Sequence, residues 1–275
     1  MQGWKWLTQP QQPYTWGFVV RVLLKAALLF ALLNVLYAAL MPLDAIGRIS
    51  IYNWLVAGRV RLPYGEDPAR AYNLSVDNIP TMFATHVISQ PKARDEFRVV
   101  LLGDSSTWGF LLPPDQTLSA FLNAQGLQLD DGRRLVFYNL GHPIMALMKD
   151  ALLLEYAMQY EPDMIVWLVT AQSFPRSRQL EAPIVARNPA RAAAFIERYG
   201  LAYDTATLEA ETGFMAQTII GQRRPLADWL RLQLYGFMWG ATGIDQYIPE
   251  SYTLRQSDFE ADAVAWGEDF PQPQT

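Results

Sequence analysis

The stretch RVVLLGDSSTWG, residues 98–109, decides the fold. An apolar, β-branched run of strand length stops at Gly103-Asp104-Ser105, and a helix-like pattern follows. A buried strand, a tight turn and a helix in that order open a βαβ unit. Ser105 is therefore expected at the carboxyl end of a parallel strand, where open α/β sheets place their ligand sites. A plainer reading of the same residues is an N-cap, a short hydroxyl side chain satisfying a free amide at a helix start. Asp104 is expected to hold the turn by accepting backbone hydrogen bonds rather than to act as a base.

The pattern repeats downstream. Phe97–Leu102 reads as the first strand, and Thr117–Leu127 carries Leu118, Phe121 and Leu122 at helical spacing. Asp130-Asp131-Gly132 marks a turn before a second strand, Leu135–Leu140. Met145–Tyr160 is helical, with Met145, Met148, Leu152 and Tyr156 on one face, and Pro162-Asp163 introduces a third strand, Met164–Thr170. Strands alternating with helices at this spacing predict an α/β fold, a three-layer α/β/α arrangement with a parallel sheet of flavodoxin-like type. Continuous rather than alternating hydrophobicity in all three strands predicts a sheet covered on both faces.

The run G-D-S-x-T-x-G after a buried strand resembles the first sequence block of the SGNH (GDSL-type) hydrolases, with Ser105 in the place of the nucleophile. Asn139-Leu140-Gly141-His142 resembles the second block, and the resemblance implies that the Gly141 amide donates to the oxyanion. Preorganised donors of this kind supply a large electrostatic term in acyl transfer. The third block departs from the family. Where SGNH enzymes carry Gly-x-Asn-Asp, this chain has Val169-Thr170-Ala171-Gln172-Ser173, so the Gln172 amide or the Thr170 hydroxyl would replace the asparagine. Loss of one oxyanion donor costs about 100–1,000-fold in rate. The family's Asp-x-x-His has no counterpart, because no histidine follows His142. His142, beside the glycine, is expected to line the pocket or to stand in as base. The missing block predicts that the chain is a fragment whose Asp-x-x-His element lies beyond Thr275, or else a degenerate relative.

The resemblance implies ester hydrolysis or acyl transfer through a serine acyl-enzyme, on O-acyl groups of envelope glycans or lipids. The rival reading is a non-catalytic envelope protein that keeps the fold for binding or assembly. A third, phosphate binding at the helix start, lacks the multiple-glycine spacing of phosphate loops.

Composition narrows the field. The 275 residues include no cysteine, which excludes disulfides, thiolate metal sites and a cysteine nucleophile. A net charge of −5 without a basic patch argues against nucleic acid, and no metal or cofactor is expected. Of the two histidines, His86 is expected to be a surface or packed residue. Lys149-Asp150 is expected on a solvated helix face, since adjacent helical residues do not face each other.

Residues 15–43 are apolar, and Ala26–Leu43 carries no charge over 18 residues. That length predicts an uncleaved transmembrane signal-anchor rather than a cleaved signal peptide. Lys5 precedes the apolar stretch and Arg21 and Lys25 lie near its start, which predicts a cytoplasmic N-terminus, residues 1–14, and an extracytoplasmic α/β domain. Residues 44–96 read as an ordered lead-in, 97–173 as the SGNH-like core, and 174–275 as a mostly helical insertion or lid with an incomplete end. Within the last region, Asn188–Tyr199 and Tyr203–Thr212 predict short helices, and Glu260–Thr275 reads as disordered or as the start of another loop. A Leu226–Gly240 helix fits either the membrane interface or an ordinary core or lid position.

Overall fold

The three apolar runs form one parallel sheet in the computed structural model, which describes residues 15–56, 58–65, 68–208, 213–250 and 252. Strand β1 (Glu96–Leu102) lies in the middle, flanked by β2 (Arg134–Asn139) and β3 (Met164–Trp167), in the order β2-β1-β3. Val100 sits opposite Tyr138 on one side and Ile165 on the other, so all three carboxyl ends emerge at the same edge of the fold. The architecture is α/β with a parallel sheet.

Burial falls off from the centre. β1 is buried almost throughout, β2 only at Tyr138 and Asn139, while Met164 to Val169 are 36–47% exposed. The expectation of a sheet covered on both faces therefore fails for β3. Both β1 and β3 contain apolar runs, but among the described residues no strand pairs with the outer edge of β3, and pattern alone cannot say which strand is central.

Most helices follow the expected segments with trimmed ends, while the one expected at Leu226–Gly240 is longer at both ends. Helix α1 (Trp16–Leu40) starts at Thr15, whose hydroxyl accepts the Phe18 amide. It is long and apolar enough to cross a membrane, and only Asn34 and Ala38 in it are buried. Short helices α2 (Leu43–Gly47), α3 (Ile51–Leu55) and α4 (Ile79–Ala84) follow. A single turn, α5 (Ser105–Trp108), leaves β1, and α6 (Leu118–Ala124) packs on β2, where Asn123 exchanges two 2.8 Å hydrogen bonds with the Phe137 backbone. Then come α7 (Leu147–Ala157), α8 (Pro183–Ala186), α9 (Pro189–Arg198), α10 (Phe214–Gln217) and α11 (Arg223–Thr242).

The core sits on one face of β1 and β2. Val100, Leu102, Tyr138 and Leu140 meet Met148, Leu152 and Tyr156 of α7, together with Leu62, Ile79, Met82 and Phe83 from the segment before the sheet. Period-two side chains from the strands against a helical stripe are what the sequence pattern calls for.

One helix differs. Only Thr205–Thr207 forms a turn within the described part of 203–212. Asp204 accepts the Ala206 amide, and the Thr207 hydroxyl donates to the Asp204 carbonyl, local bonds that compete with a continuing helix. Residues 209–212, the N-terminal 1–14 and the 260–275 tail, with the expectations attached to them, lie outside the described residues.

Candidate functional site

Three loops converge where the strands end. The first carries Gly103, Asp104 and Ser105. Gly103 has no room for a side chain, since a Cβ would stand 2.2 Å from Thr107 Oγ1 and 2.8 Å from the Leu168 carbonyl. Asp104 is buried and caps α5: one carboxylate oxygen accepts the Ser106 amide at 2.9 Å and its hydroxyl at 2.8 Å. Ser105 is half-buried at the first helical position, where a helix leaves its amides without intrahelical partners. The expected turn-holding role of Asp104 is thus visible.

The second loop carries Gly141 and His142. The Gly141 amide donates to the Asn139 side-chain oxygen at 3.0 Å, so in this arrangement it is engaged within its own loop. The Asn139 amide group in turn donates to the Thr107 carbonyl at 2.8 Å, one of the orphan acceptors at the end of α5. Gly141 also presses on α5, where a Cβ would stand 2.6 Å from the Trp108 nitrogen. Here glycine permits close approach of two backbones.

His142 is buried, and neither ring nitrogen finds a hydrogen-bond partner among the described residues. Burial, with the nearby Lys149 charge, pushes its pKa down to about 3. Tyr64 meets its ring edge-on at 5.5 Å. A neutral, unsupported imidazole of this kind is a feeble proton acceptor. His86 is likewise packed, its Nδ1 accepting the Ile88 amide at 3.1 Å, and burial pushes it down to about 4.

The third loop reaches back to the first. Thr170 donates to the second Asp104 oxygen at 3.1 Å and lies 3.2 Å from the Ser173 hydroxyl. Gln172 is exposed on the one-turn helix Ala171–Ser173. Ser105, Gly141 and the Thr170–Gln172 segment are therefore gathered at one end of the sheet, with Thr170 rather than Gln172 tied into the network.

The structure overturns the solvated-face expectation for Lys149 and Asp150. Both are buried and form an ion pair at 2.8 Å. Lys149 Nζ donates to the Gly103 carbonyl at 3.0 Å and to the His142 carbonyl at 2.7 Å, and Trp167 Nε1 donates to Asp150 at 3.1 Å. The pair joins the first two loops to the last residue of β3. Burial lowers the Lys149 pKa and raises that of Asp150, and each opposes the shift of the other. The physical reason lies in their position: the first turn of α7 is pressed beneath the strand ends, so Lys149 reaches the first two loops and Asp150 the end of β3. The signal in the sequence was a charged pair set between apolar Leu147-Met148 and Ala151-Leu152-Leu153-Leu154.

Beside the loops lies a cavity of about 350 Å³ walled by Tyr64, Trp108, Phe110, Leu111 and Tyr247. Arg61 fixes this side. It is buried against Asp245, donates to the Gly109 and Leu112 carbonyls, and stacks 4.3 Å from the Trp108 ring centre. Among the described residues no cluster of three His, Asp or Glu side chains could hold a metal.

Compared with protein-family models, curated proteins and solved structures, the chain matches none.

Proposed function

We propose that this protein is a membrane-anchored, SGNH-hydrolase-like serine esterase or acyl-transfer enzyme. On this reading α1 is a single span with its N-terminus cytoplasmic, and the α/β domain, of the three-layer flavodoxin-like type, lies outside. Its substrates are O-acyl groups of envelope glycans or lipids. The observation that supports this most is the place of Ser105: half-exposed, first in a helical turn, at the carboxyl end of the central parallel strand, beside a buried capping Asp104.

In the proposed chemistry the Ser105 hydroxyl attacks the ester carbonyl and loses its proton. The developing oxyanion meets the Ser105 amide, the alcohol leaves with a proton, and water or an acceptor alcohol releases the acyl group. A serine lacking an adjacent base is a weak nucleophile. With both histidines buried and neutral, residues 1–275 are expected to acylate slowly and to turn over simple aryl esters negligibly.

One observation favours the rival, a non-catalytic binding or assembly role: the Gly141 amide and the buried histidines are committed inside the fold. Mass spectrometry of the protein after incubation with an activated ester or a fluorophosphonate separates the two. Slow modification at Ser105, absent in Ser105→Ala, supports the enzyme reading. Modification at another residue, or none at Ser105 in a folded protein, sinks it.

A further inference from the structure

The exposed apolar residues outside the sheet are not scattered. On α11, Leu230, Leu234, Phe237 and Met238 are 41–58% exposed and recur at helical spacing on one face, while Leu232, Gln233 and Gly236 face inward. Helix α3 lies alongside. Gln233 accepts the Ile51 amide at 2.8 Å, and Trp229 Nε1 donates to the Ile49 carbonyl at 2.9 Å. Trp54 and Leu55 of α3 are the most exposed of the set, at 70% and 72%. Phe214 and Met215 of α10, with Ile220, add to it. A soluble domain rarely leaves so large an apolar surface uncovered unless something binds it.

The place of this surface identifies what covers it. Ile220 donates its amide to Asn34 in α1 at 3.3 Å, and Asn34 and Ala38 are the residues of α1 that the domain buries. Asn34 is six residues before Leu40, or roughly 9 Å down the helix axis. With 25 residues α1 is about 37 Å long, against a hydrocarbon core of about 30 Å. The segment from α10 to the start of α11 therefore meets α1 at the depth where headgroups give way to acyl chains. Exposed Arg223, Arg224 and Arg231 border the apolar residues, the composition of a helix that lies in a lipid interface.

We propose that the face formed by α3, α10 and α11 rests on the bilayer, with Leu230, Leu234, Phe237, Trp54 and Leu55 in the headgroup–acyl boundary and the arginines among lipid phosphates. This rests on the reading of α1 as a membrane span. A second copy of the chain would leave unexplained why the segment between α10 and α11 is joined to α1 through Ile220 and Asn34. The consequence is that the domain does not hang on a tether: it is held against the membrane at two places.

The chain has no cysteine, so single cysteines report cleanly. Leu234→Cys, Leu230→Cys and Trp54→Cys, all at exposed positions, are each labelled with an environment-sensitive fluorophore. The full chain is then placed in vesicles of phosphatidylcholine and phosphatidylglycerol carrying, in separate preparations, a nitroxide near the top of the acyl chain, to quench the face labels, or at its end, to quench Leu29. Leu29→Cys in α1 reports insertion, and Gln125→Cys, beyond α6, reports a site away from lipid. The three face labels are expected to be quenched several-fold more than the Gln125 label. If Leu29 is quenched but the face labels match Gln125, the docking proposal fails while the anchor stands. Blue-shifted but unquenched face labels would mean a protein cover, and would overturn it equally. An unquenched Leu29 label would remove the anchor reading itself, and this proposal with it.

Discussion

The Thr170 hydroxyl donates to the Asp104 carboxylate at 3.1 Å, across the gap between the loops that follow β3 and β1. One side chain thus caps the helical turn that presents Ser105 and fixes the neighbouring loop to it. A carboxylate with both oxygens occupied in this way is a hinge pin for the motif rather than a proton carrier.

Removing either end of that bond is expected to cost about 1–2 kcal/mol, the ordinary range for a cap or a hydrogen bond to a charged group. Because Asp104→Ala and Thr170→Val break the same link, their effects should be sub-additive in a double-mutant cycle of unfolding free energies. Strict additivity would mean that the bond contributes nothing to holding the loops.

The buried Lys149–Asp150 pair makes a sharper prediction. Asp150→Leu leaves the ammonium unpaired in the interior and is expected to destabilise the fold by about 3–5 kcal/mol. Lys149→Met combined with Asp150→Leu removes both charges and should recover part of that loss. Thermal unfolding in detergent checks it, and a double variant as unstable as Asp150→Leu would refute the electrostatic account.

Acid should weaken the protein through its histidines. Both have pKa values pushed below the ordinary value of 6.5, to about 3 for His142 and about 4 for His86. Above pH 6.5 they are neutral folded or unfolded, and contribute no pH dependence. As pH falls below 6.5 the unfolded chain takes up protons that the folded chain refuses, so stability drops. Between about pH 6 and pH 4 the loss approaches, for each histidine, a limit of about 1.4 kcal/mol per pH unit, and that of His86 tails off first, near pH 4. His142→Leu should therefore show a visibly shallower decline than the parent in unfolding midpoints across that range. Equal slopes would contradict the burial of His142.

Gly141→Ala places a methyl group 2.6 Å from the Trp108 nitrogen. Overpacking against backbone is expected to cost about 1–3 kcal/mol and to shift α5, the turn that carries Ser105. Labelling of Ser105 by a fluorophosphonate should slow in the same variant. An unchanged melting temperature would show that the two loops are less closely joined than they stand.

The parallel sheet was legible because β1, β2 and β3 are short apolar runs separated by helical periods, a signal that depends only on local sequence. The clustering of Ser105, Gly141 and Thr170 follows from the same signal, since parallel strands deliver their following loops to one edge. The commitment of the Gly141 amide to Asn139, the burial of Lys149-Asp150 and the bareness of β3 were not legible. Each depends on which elements become neighbours. Asn139 finds its acceptors on α5, 31 and 32 residues away along the chain, and no periodicity encodes that meeting.

The outer edge of β3 has a practical consequence for anyone handling this protein. From Met164 to Val169 it offers Met, Ile, Val, Trp, Leu and Val, with no lysine, proline or acidic residue to discourage a stranger. Natural edge strands are commonly blunted by such residues, because a bare backbone templates pairing with whatever strand arrives next. Left unoccupied, this edge is a seed for aggregation as concentration rises. A lysine in place of Val166, at the middle of the exposed run, is then the first substitution to try when the aim is a well-behaved sample.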